Sequence, residues 1–186
     1  ADAARAKVLI FEFETPGGAV DTALELKNSI IDAAREKGME TVAFVNRHAI
    51  SAGALLALST QKIFMREGST MGGAAPIMMT GQEMGETTEE KMVSIVASEF
   101  RAAAKTNGHD PELAAAMVDR DVEIPGIIDK GKLLSLDAQS ALDLGLAKGM
   151  AENVEEVLRK LGYEGYRIIR FEENWAEIVA RFITNP

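Results

Sequence analysis

A glycine pair and a lone serine are the residues of this sequence best suited to acyl chemistry. Gly17 and Gly18 follow an apolar run at residues 8–13 that predicts a buried strand. Adjacent glycines at a strand end let the backbone approach a ligand and direct N–H groups at an oxygen that carries negative charge. A tight turn is the commoner role of such a pair, so the dipeptide alone leaves both interpretations open.

Ser51 stands at the head of a predicted helix over residues 52–58, and its neighbours are small. Small neighbours leave room for a substrate carbonyl beside the hydroxyl. Capping the helix is the commoner role of such a serine, and it remains the alternative. The G-x-S-x-G motif of the hydrolases is not matched, because position 49 is alanine.

A nucleophilic serine needs a base, and Lys91 is the main candidate. Thr87 and Glu90 form a predicted capping box, which places Lys91 at the fourth position of a helix with Ile95 one turn further on. The positive end of the helix dipole and an apolar neighbour both favour the neutral amine that a base requires. The adjacent Glu89 and Glu90 oppose this effect, and a solvated surface lysine is the alternative.

The two histidines suit the role of base poorly. His48 precedes Ser51 by three residues, where it either satisfies a backbone group or lines the pocket. His109 lies in a turn-and-cap sequence at residues 107–111, which favours a structural role. Because the chain has no cysteine and these two histidines are far apart, we expect no disulfide, no thiolate nucleophile, no metal site and no cofactor.

Length and net charge limit the classes of protein to which this sequence can belong. The 186 residues, 47% of them hydrophobic, predict a single domain over residues 1–186. A net charge of -9 without a basic cluster argues against nucleic acid as a partner.

The longest run of small apolar residues, 49–58, is too short to span a bilayer, and residues 1–7 lack the apolar core of a signal peptide. The first residues are typical of the end of a helix, so we expect a domain excised from a longer protein.

The apolar periodicity alternates between strand and helix, which predicts an α/β domain with parallel strands. A long Gly- and Met-rich loop is predicted at residues 68–85 and a hairpin at 127–134. The predicted strands are 8–13, 41–45, 62–65 and 166–171. The first predicted helix begins at Asp21 or Thr22 and ends at Lys37. The later predicted helices begin at residues 52, 87, 110, 138, 154 and 175.

Four motifs in order along the chain resemble the Clp-protease/crotonase superfamily, and most closely the NfeD-type membrane-bound serine proteases related to signal peptide peptidase A. They are FETPGG at 13–18, NRHAISAG at 46–53, MGGAAP at 71–76 and LDAQSALDLGLA at 136–147. The resemblance covers residues 8 to about 161. It implies a Clp-protease/crotonase-like fold, a superhelix of stacked βα (ββα) units with a mainly parallel sheet.

The same resemblance implies a serine protease with a Ser-Lys dyad. Ser51 takes the position of the nucleophile, and Lys91, forty residues downstream, that of the base. The oxyanion hole would be formed by the N–H of Gly17 or Gly18 together with that of Ala52. A related branch uses a histidine about 25 residues after the serine, but this chain has Pro76 there.

The predicted substrate cleft takes its residues from the loop and from the strand before Ser51. Met78 and Met79 would give the cleft an adaptable apolar surface, and His48 would line it. Packing in the core is the alternative for the methionines.

The resemblance also implies a setting and a partner. It points to an extracytoplasmic domain, associated with the membrane through a longer parent protein, that cleaves apolar segments of a stomatin- or prohibitin-like protein as a homodimer or larger homo-oligomer. Two alternatives stay open. A crotonase-type acyl-CoA enzyme would use the same glycine turn without needing Ser51, and a non-catalytic scaffold would tolerate Ser51→Ala.

Overall fold

The computed structural model describes residues 6–76 and 85–170. Strands and helices alternate through most of these residues, as predicted for an α/β domain. In chain order the elements are β1 (Val8–Thr15), α1 (Val20–Lys37), β2 (Glu40–Ile50), α2 (Ala52–Leu58), β3 (Lys62–Met65), β4 (Thr70–Gly72), α3 (Glu86–Asn107), α4 (Pro111–Ala116), β5 (Ser135–Asp137), α5 (Ala138–Asp143), β6 (Gly149–Met150) and α6 (Val154–Lys160).

Strand β2 is the centre of the sheet, since it pairs with three other strands. Residues 42–45 of β2 pair with both β1 and β3, so those two strands lie on opposite sides of it. Residues 48–50 pair with β4. These pairings and the β3–β6 pairing are parallel, whereas β5 is antiparallel to β4. The prediction of a mainly parallel sheet is confirmed. The sheet as a whole is mixed, because β5 is antiparallel to its neighbour.

Apolar residues of β2 pack on both faces of the sheet, which is typical of a parallel sheet covered on two sides. Ala43, Val45 and Ala49 belong to the larger core cluster, which includes residues of α2, α3 and α4. Val42 and Phe44 point to the other face, into a smaller cluster that includes Val157 of α6. The long central strand is therefore fixed from both faces.

The predicted helix starts are partly wrong. Helix α1 begins after Ala19 and α3 after Gly85, neither with a side-chain cap, so Asp21, Thr22 and Thr87 lie inside the helices. Val20 packs on the larger cluster from the first position of α1, and this burial sets the start in place of a cap. The predicted cap Asp110 is confirmed, because its carboxylate accepts from two N–H groups of α4.

Three further predictions differ from the structure. The predicted loop at 68–85 contains β4, a strand too short for its three residues to show periodicity. Residues 127–134 do not form the predicted hairpin; the antiparallel bridge in this region joins Ile124 to Ile128 around a turn at 125–127. Residues 166–170 form no strand with any described residue, and Tyr166 and Ile169 are exposed. Residue 171 and the helix predicted from residue 175 lie outside the described residues.

Gly72, at the end of β4, offers a direct test of this packing. Its φ is +125°, and a Cβ atom there would lie 2.4 Å from the carbonyl oxygen of Leu134. Gly68 also has a positive φ, +79°, but faces open space. We expect Gly72→Ala to lower the free energy of unfolding by about 3 kcal/mol or more, and the control Gly68→Ala by about 1 kcal/mol. Urea denaturation measures both, and equal losses would contradict the described β4–β5 contact.

Candidate active site

Ser51 occupies the junction between β2 and α2 in a strained backbone conformation. Its φ is +55° and its ψ is -118°, and no other non-glycine residue of the described ranges has a positive φ. Such a conformation costs on the order of 1–3 kcal/mol and persists only where the surrounding structure enforces it. A strained serine between a strand and a helix is the arrangement that presents a nucleophile in the hydrolase elbow.

The backbone of Ser51 is held on both sides. Its N–H donates to the carbonyl of Gly72 at the end of β4, at 3.0 Å. Its carbonyl accepts from the N–H groups of Ala54 and Leu55 in the first turn of α2. These bonds fix the residue between the sheet and the helix.

The hydroxyl of Ser51, in contrast, is not occupied by the fold. Ser51 precedes the first residue of α2, but its side chain makes no capping hydrogen bond. Within residues 6–76 and 85–170 its Oγ has no hydrogen-bond partner, and the residue is half-buried. The structure therefore removes the capping interpretation and leaves a hydroxyl available for chemistry.

The turn that contains the glycine pair lies against this serine. Gly17 has a φ of +127°, and a Cβ atom there would lie 2.9 Å from Ser51 Cβ and 3.4 Å from Ser51 Oγ. Any larger residue at position 17 would collide with the serine side chain. The close approach of backbone to hydroxyl is what an oxyanion site requires.

The hydrogen bonds in the turn distinguish the two glycines. The N–H of Gly17 donates to Thr15 Oγ1 at 3.2 Å. The N–H groups of Gly18 and Ala52 have no acceptor among the described residues. The sequence left open whether the N–H group of Gly17 or that of Gly18 is the oxyanion donor. In the structure the N–H group of Gly18 is available for this role, as is that of Ala52.

Lys91 lies on an exposed part of α3. It is the sixth residue of the helix and not the fourth, because α3 begins at Glu86. Its Nζ makes no hydrogen bond or ion pair with another residue of the part of the chain that is described, Ser51 included. The structure therefore shows no Ser51–Lys91 hydrogen bond, and the dyad stays a prediction.

The apolar residues at helical spacing in α3 are buried only in the later part of the helix. Val96 and Phe100 are buried, but Ile95, predicted to desolvate Lys91, is 55% exposed. The error arises because Ile95 fits the helical spacing, whereas residues 87–91 and Ile95 are exposed and lie outside the core that the described residues form. Met78 and Met79, predicted to line the cleft, lie outside the described residues.

His48 lines a polar hollow whose lining does not include Ser51. Arg66 spans part of this hollow, since it donates to Asn46 and forms an ion pair with Glu152. His48 therefore lies at a polar surface, and its place in a substrate cleft stays a prediction. The lining residues are Asn46, Arg47, His48, Arg66, Glu67, Gly68, Thr70 and Glu152.

His109 has the structural role that its turn sequence indicated. It is buried, and its Nε2 donates to the carbonyl of Thr60 at 2.7 Å. Burial lowers the pKa of His109 below its ordinary 6.5, and the charge of Lys148 acts in the same direction, while the Thr60 hydrogen bond opposes them. His109 is therefore neutral in the folded protein near pH 7.

Sequence reasoning missed two contributors, Gly72 and Thr15. Gly72 accepts the N–H of Ser51 through its carbonyl, and Thr15 accepts the N–H of Gly17. A signal was present for each. Gly72 begins a second glycine pair after an apolar residue, and Thr15 directly precedes proline in a turn, where a hydroxyl often bonds the backbone two residues on.

Residues 1–171 match the NfeD1b N-terminal domain family. The chain belongs to this family. It is 37% identical over 184 residues to the membrane protein NfeD1b of Bacillus subtilis, covering 98% of this chain and 40% of that protein. It is 25% identical over 160 residues to the membrane-bound protease PH1510 of Pyrococcus horikoshii, covering 83% and 32%. The chain thus spans less than half the length of these curated relatives.

Solved structures share the fold. A serine-to-alanine variant of 1510-N, a membrane-bound stomatin-specific protease, superposes with a TM-score of 0.67 at 23% identity, covering 86% of this chain and 71% of that one. A lysine-to-alanine variant of 1510-N in complex with a substrate peptide gives 0.65 at 23% identity, covering 86% and 67%. The Clp-protease-like fold expected from the four motifs is therefore confirmed. No described helix combines the length and the apolar character needed to cross a bilayer.

The buried His109 predicts how stability depends on pH. Below about pH 6.5 the unfolded chain gains a proton on this histidine and the folded chain does not, so the free energy of unfolding falls as the pH falls. We expect His109→Gln, which retains a donor for Thr60, to show a shallower fall between pH 7.0 and about 5.5. Urea titrations at several pH values measure this, and equal slopes for both proteins would contradict the buried neutral histidine.

Proposed function

We propose that this chain is the catalytic domain of a serine endopeptidase in which Ser51 is the nucleophile. The observation that carries the proposal is the strained Ser51, whose unoccupied hydroxyl lies against Gly17. One relative supports it: PH1510 of Pyrococcus horikoshii is named as a membrane-bound protease, and its solved 1510-N structures are described as a stomatin-specific protease.

The proposed reaction uses groups at the β2–α2 junction. Ser51 Oγ attacks the peptide carbonyl while its proton passes to the neutral amine of Lys91. The carbonyl oxygen becomes an oxyanion that accepts hydrogen bonds from the N–H groups of Gly18 and Ala52, and such a donor is typically worth about 3 kcal/mol. Lys91 then protonates the leaving amine, and water, deprotonated by Lys91, hydrolyses the acyl-enzyme on Ser51.

The role of Lys91 rests on residue type and position. In the proposal its amine comes within hydrogen-bond reach of Ser51 Oγ when substrate is bound, because catalytic hydrogen bonds often tighten only in that complex. The study of a lysine variant of 1510-N with a substrate peptide is consistent with an essential lysine in a protein of this fold. Lys91 is free to act, having no partner among the described side chains.

The proposed substrate is an apolar segment of a stomatin- or prohibitin-like membrane protein. The support is that 1510-N is described as specific for a stomatin homolog. Met78, Met79 and His48 would form the cleft. In the same proposal the domain lies on the extracytoplasmic side of the membrane, anchored through its parent protein, and works as a homodimer or larger homo-oligomer.

A non-catalytic scaffold is the second candidate, and one observation favours it. Lys91 is exposed and makes no hydrogen bond to Ser51. A scaffold of this fold would keep the glycine turn and the serine as structural elements and would need no neutral lysine.

Covalent labelling separates the two candidates. We expect a fluorophosphonate probe to add once to the wild-type chain, at a rate that rises with pH as the base loses its proton. Ser51→Ala should give no adduct, and Lys91→Ala should slow the reaction by about 10²–10⁴-fold, the usual contribution of a general base. Intact-mass spectrometry at several pH values measures the adduct.

Lys105→Ala is the matched control, since Lys105 is an exposed lysine in the last turn of the same helix. It should label at the wild-type rate. A folded wild-type chain that forms no adduct would contradict the protease and favour the scaffold. An adduct that forms equally fast in Lys91→Ala would keep Ser51 as nucleophile and exclude Lys91 as its base.

A further inference from the structure

Thr15 ends β1 at an irregularity that changes its register with β2. Phe13 pairs with Val45, but Thr15 pairs with Ala49, so two steps along β1 correspond to four along β2. Such irregularities re-aim the chain locally. Here the change of register brings Thr15 beside the last residues of β2, directly before Ser51.

The hydroxyl of Thr15 holds both backbone groups of Gly17. Oγ1 accepts from the Gly17 N–H at 3.2 Å and donates to the Gly17 carbonyl oxygen at 3.3 Å. Pro16, between them, has no N–H to compete. The Gly17 carbonyl belongs to the same planar peptide as the Gly18 N–H, and in a trans peptide the two groups point in opposite directions. Fixing this carbonyl therefore fixes the direction of the Gly18 N–H.

The methyl group of Thr15 packs against the other side of the site. A Cβ atom at Gly53 would lie 2.6 Å from Thr15 Cγ2, so the absence of a side chain at Gly53 is what admits the methyl. Gly53 is the second residue of α2 and directly follows Ala52, the other available donor. One side chain thus touches the segments that carry both free N–H groups.

We propose that Thr15 is a positioning residue that sets the oxyanion hole, its hydroxyl orienting the Gly17–Gly18 peptide and its methyl fixing the start of α2. The inference rests on the proposed peptidase function. Thr15 does not touch the reacting atoms, and it acts through Gly18 and Ala52. It therefore affects the chemical step more than the binding of substrate.

Two variants separate the two halves of the side chain. Thr15→Val keeps the methyl group and removes the hydroxyl, whereas Thr15→Ser keeps the hydroxyl and removes the methyl. The experiment measures the rate of fluorophosphonate labelling of the full chain as a function of probe concentration and pH, which separates the maximal labelling rate from the probe's binding constant. NMR hydrogen exchange of the Gly17 amide supplies a readout independent of activity.

For Thr15→Val we expect the maximal labelling rate to fall about tenfold, because a donor that is misdirected but present costs less than one that is removed. The probe's binding constant should change less than about twofold, and the pH midpoint should not move, since the base is unaltered. Exchange of the Gly17 amide should accelerate. Thr15→Ser should keep the slow exchange of the Gly17 amide and label faster than Thr15→Val but more slowly than the wild type, because only the support of the Ala52 donor is lost.

Two results would overturn the inference in different ways. A wild-type chain that labels, with Thr15→Val labelling at the same maximal rate, would refute the role of Thr15 and leave the peptidase intact. A wild-type chain that does not label would refute the peptidase, and the catalytic role of Thr15 with it. A general loss of structure in Thr15→Val would appear as faster exchange throughout β1 and β2, and such a result would also count against a specific positioning role.

Discussion

The conformation of Ser51 is the constraint on which the rest of the site depends. A serine with φ of +55° is unfavourable by itself, and the neighbouring structure must hold it. Strand β2 does so by pairing with three strands, the last of which accepts the Ser51 N–H through Gly72. The hydrogen bonds of the sheet thereby offset the free-energy cost of the strained Ser51 backbone.

Three glycines make this arrangement sterically possible. At Gly17, Gly53 and Gly72 an added Cβ atom would lie within 3.0 Å of Ser51, Thr15 and Leu134 respectively. All three belong to the strand ends and the helix start around Ser51. Close approach of backbone segments therefore shapes the surroundings of Ser51 in the described structure, and the hydroxyl group of Thr15 adds a side-chain hydrogen bond to the glycine turn.

The sequence was informative where the physics is local or periodic. The apolar strand at residues 8–13 and the helix over 52–58 followed from apolar spacing, whereas the position of Gly17 beside Ser51 was implied only by the family resemblance. The start of α1 did not follow from the sequence pattern, because Val20 packs on the core there in place of a capping side chain. The start of α3 lies at Glu86, one residue before the predicted cap Thr87. Ile95 fits a helical stripe and is nevertheless exposed, since spacing does not show where a helix leaves the core.

The two ends of α3 differ in burial, so the described structure constrains Lys91 less than it constrains Ser51. Around Phe100 the helix is buried, and Glu99 forms an ion pair with the buried Lys27 of α1. Residues 87–91 are exposed. Ser51 is held by hydrogen bonds at the edge of the sheet, whose strands are visible in the sequence pattern. Lys91 lies on a part of α3 that does not pack on the described core.

A crystal structure of the fluorophosphonate adduct tests the central claim most directly. The account predicts that the phosphorus is bonded to Ser51 Oγ and that a phosphoryl oxygen lies 2.7–3.1 Å from the amide nitrogens of both Gly18 and Ala52, the range for oxyanion donors. It also predicts that Gly17 keeps its hydrogen bond to Thr15. A phosphoryl oxygen directed to solvent, or an adduct on another residue, would contradict the claim that the strained serine and the glycine turn form one catalytic site.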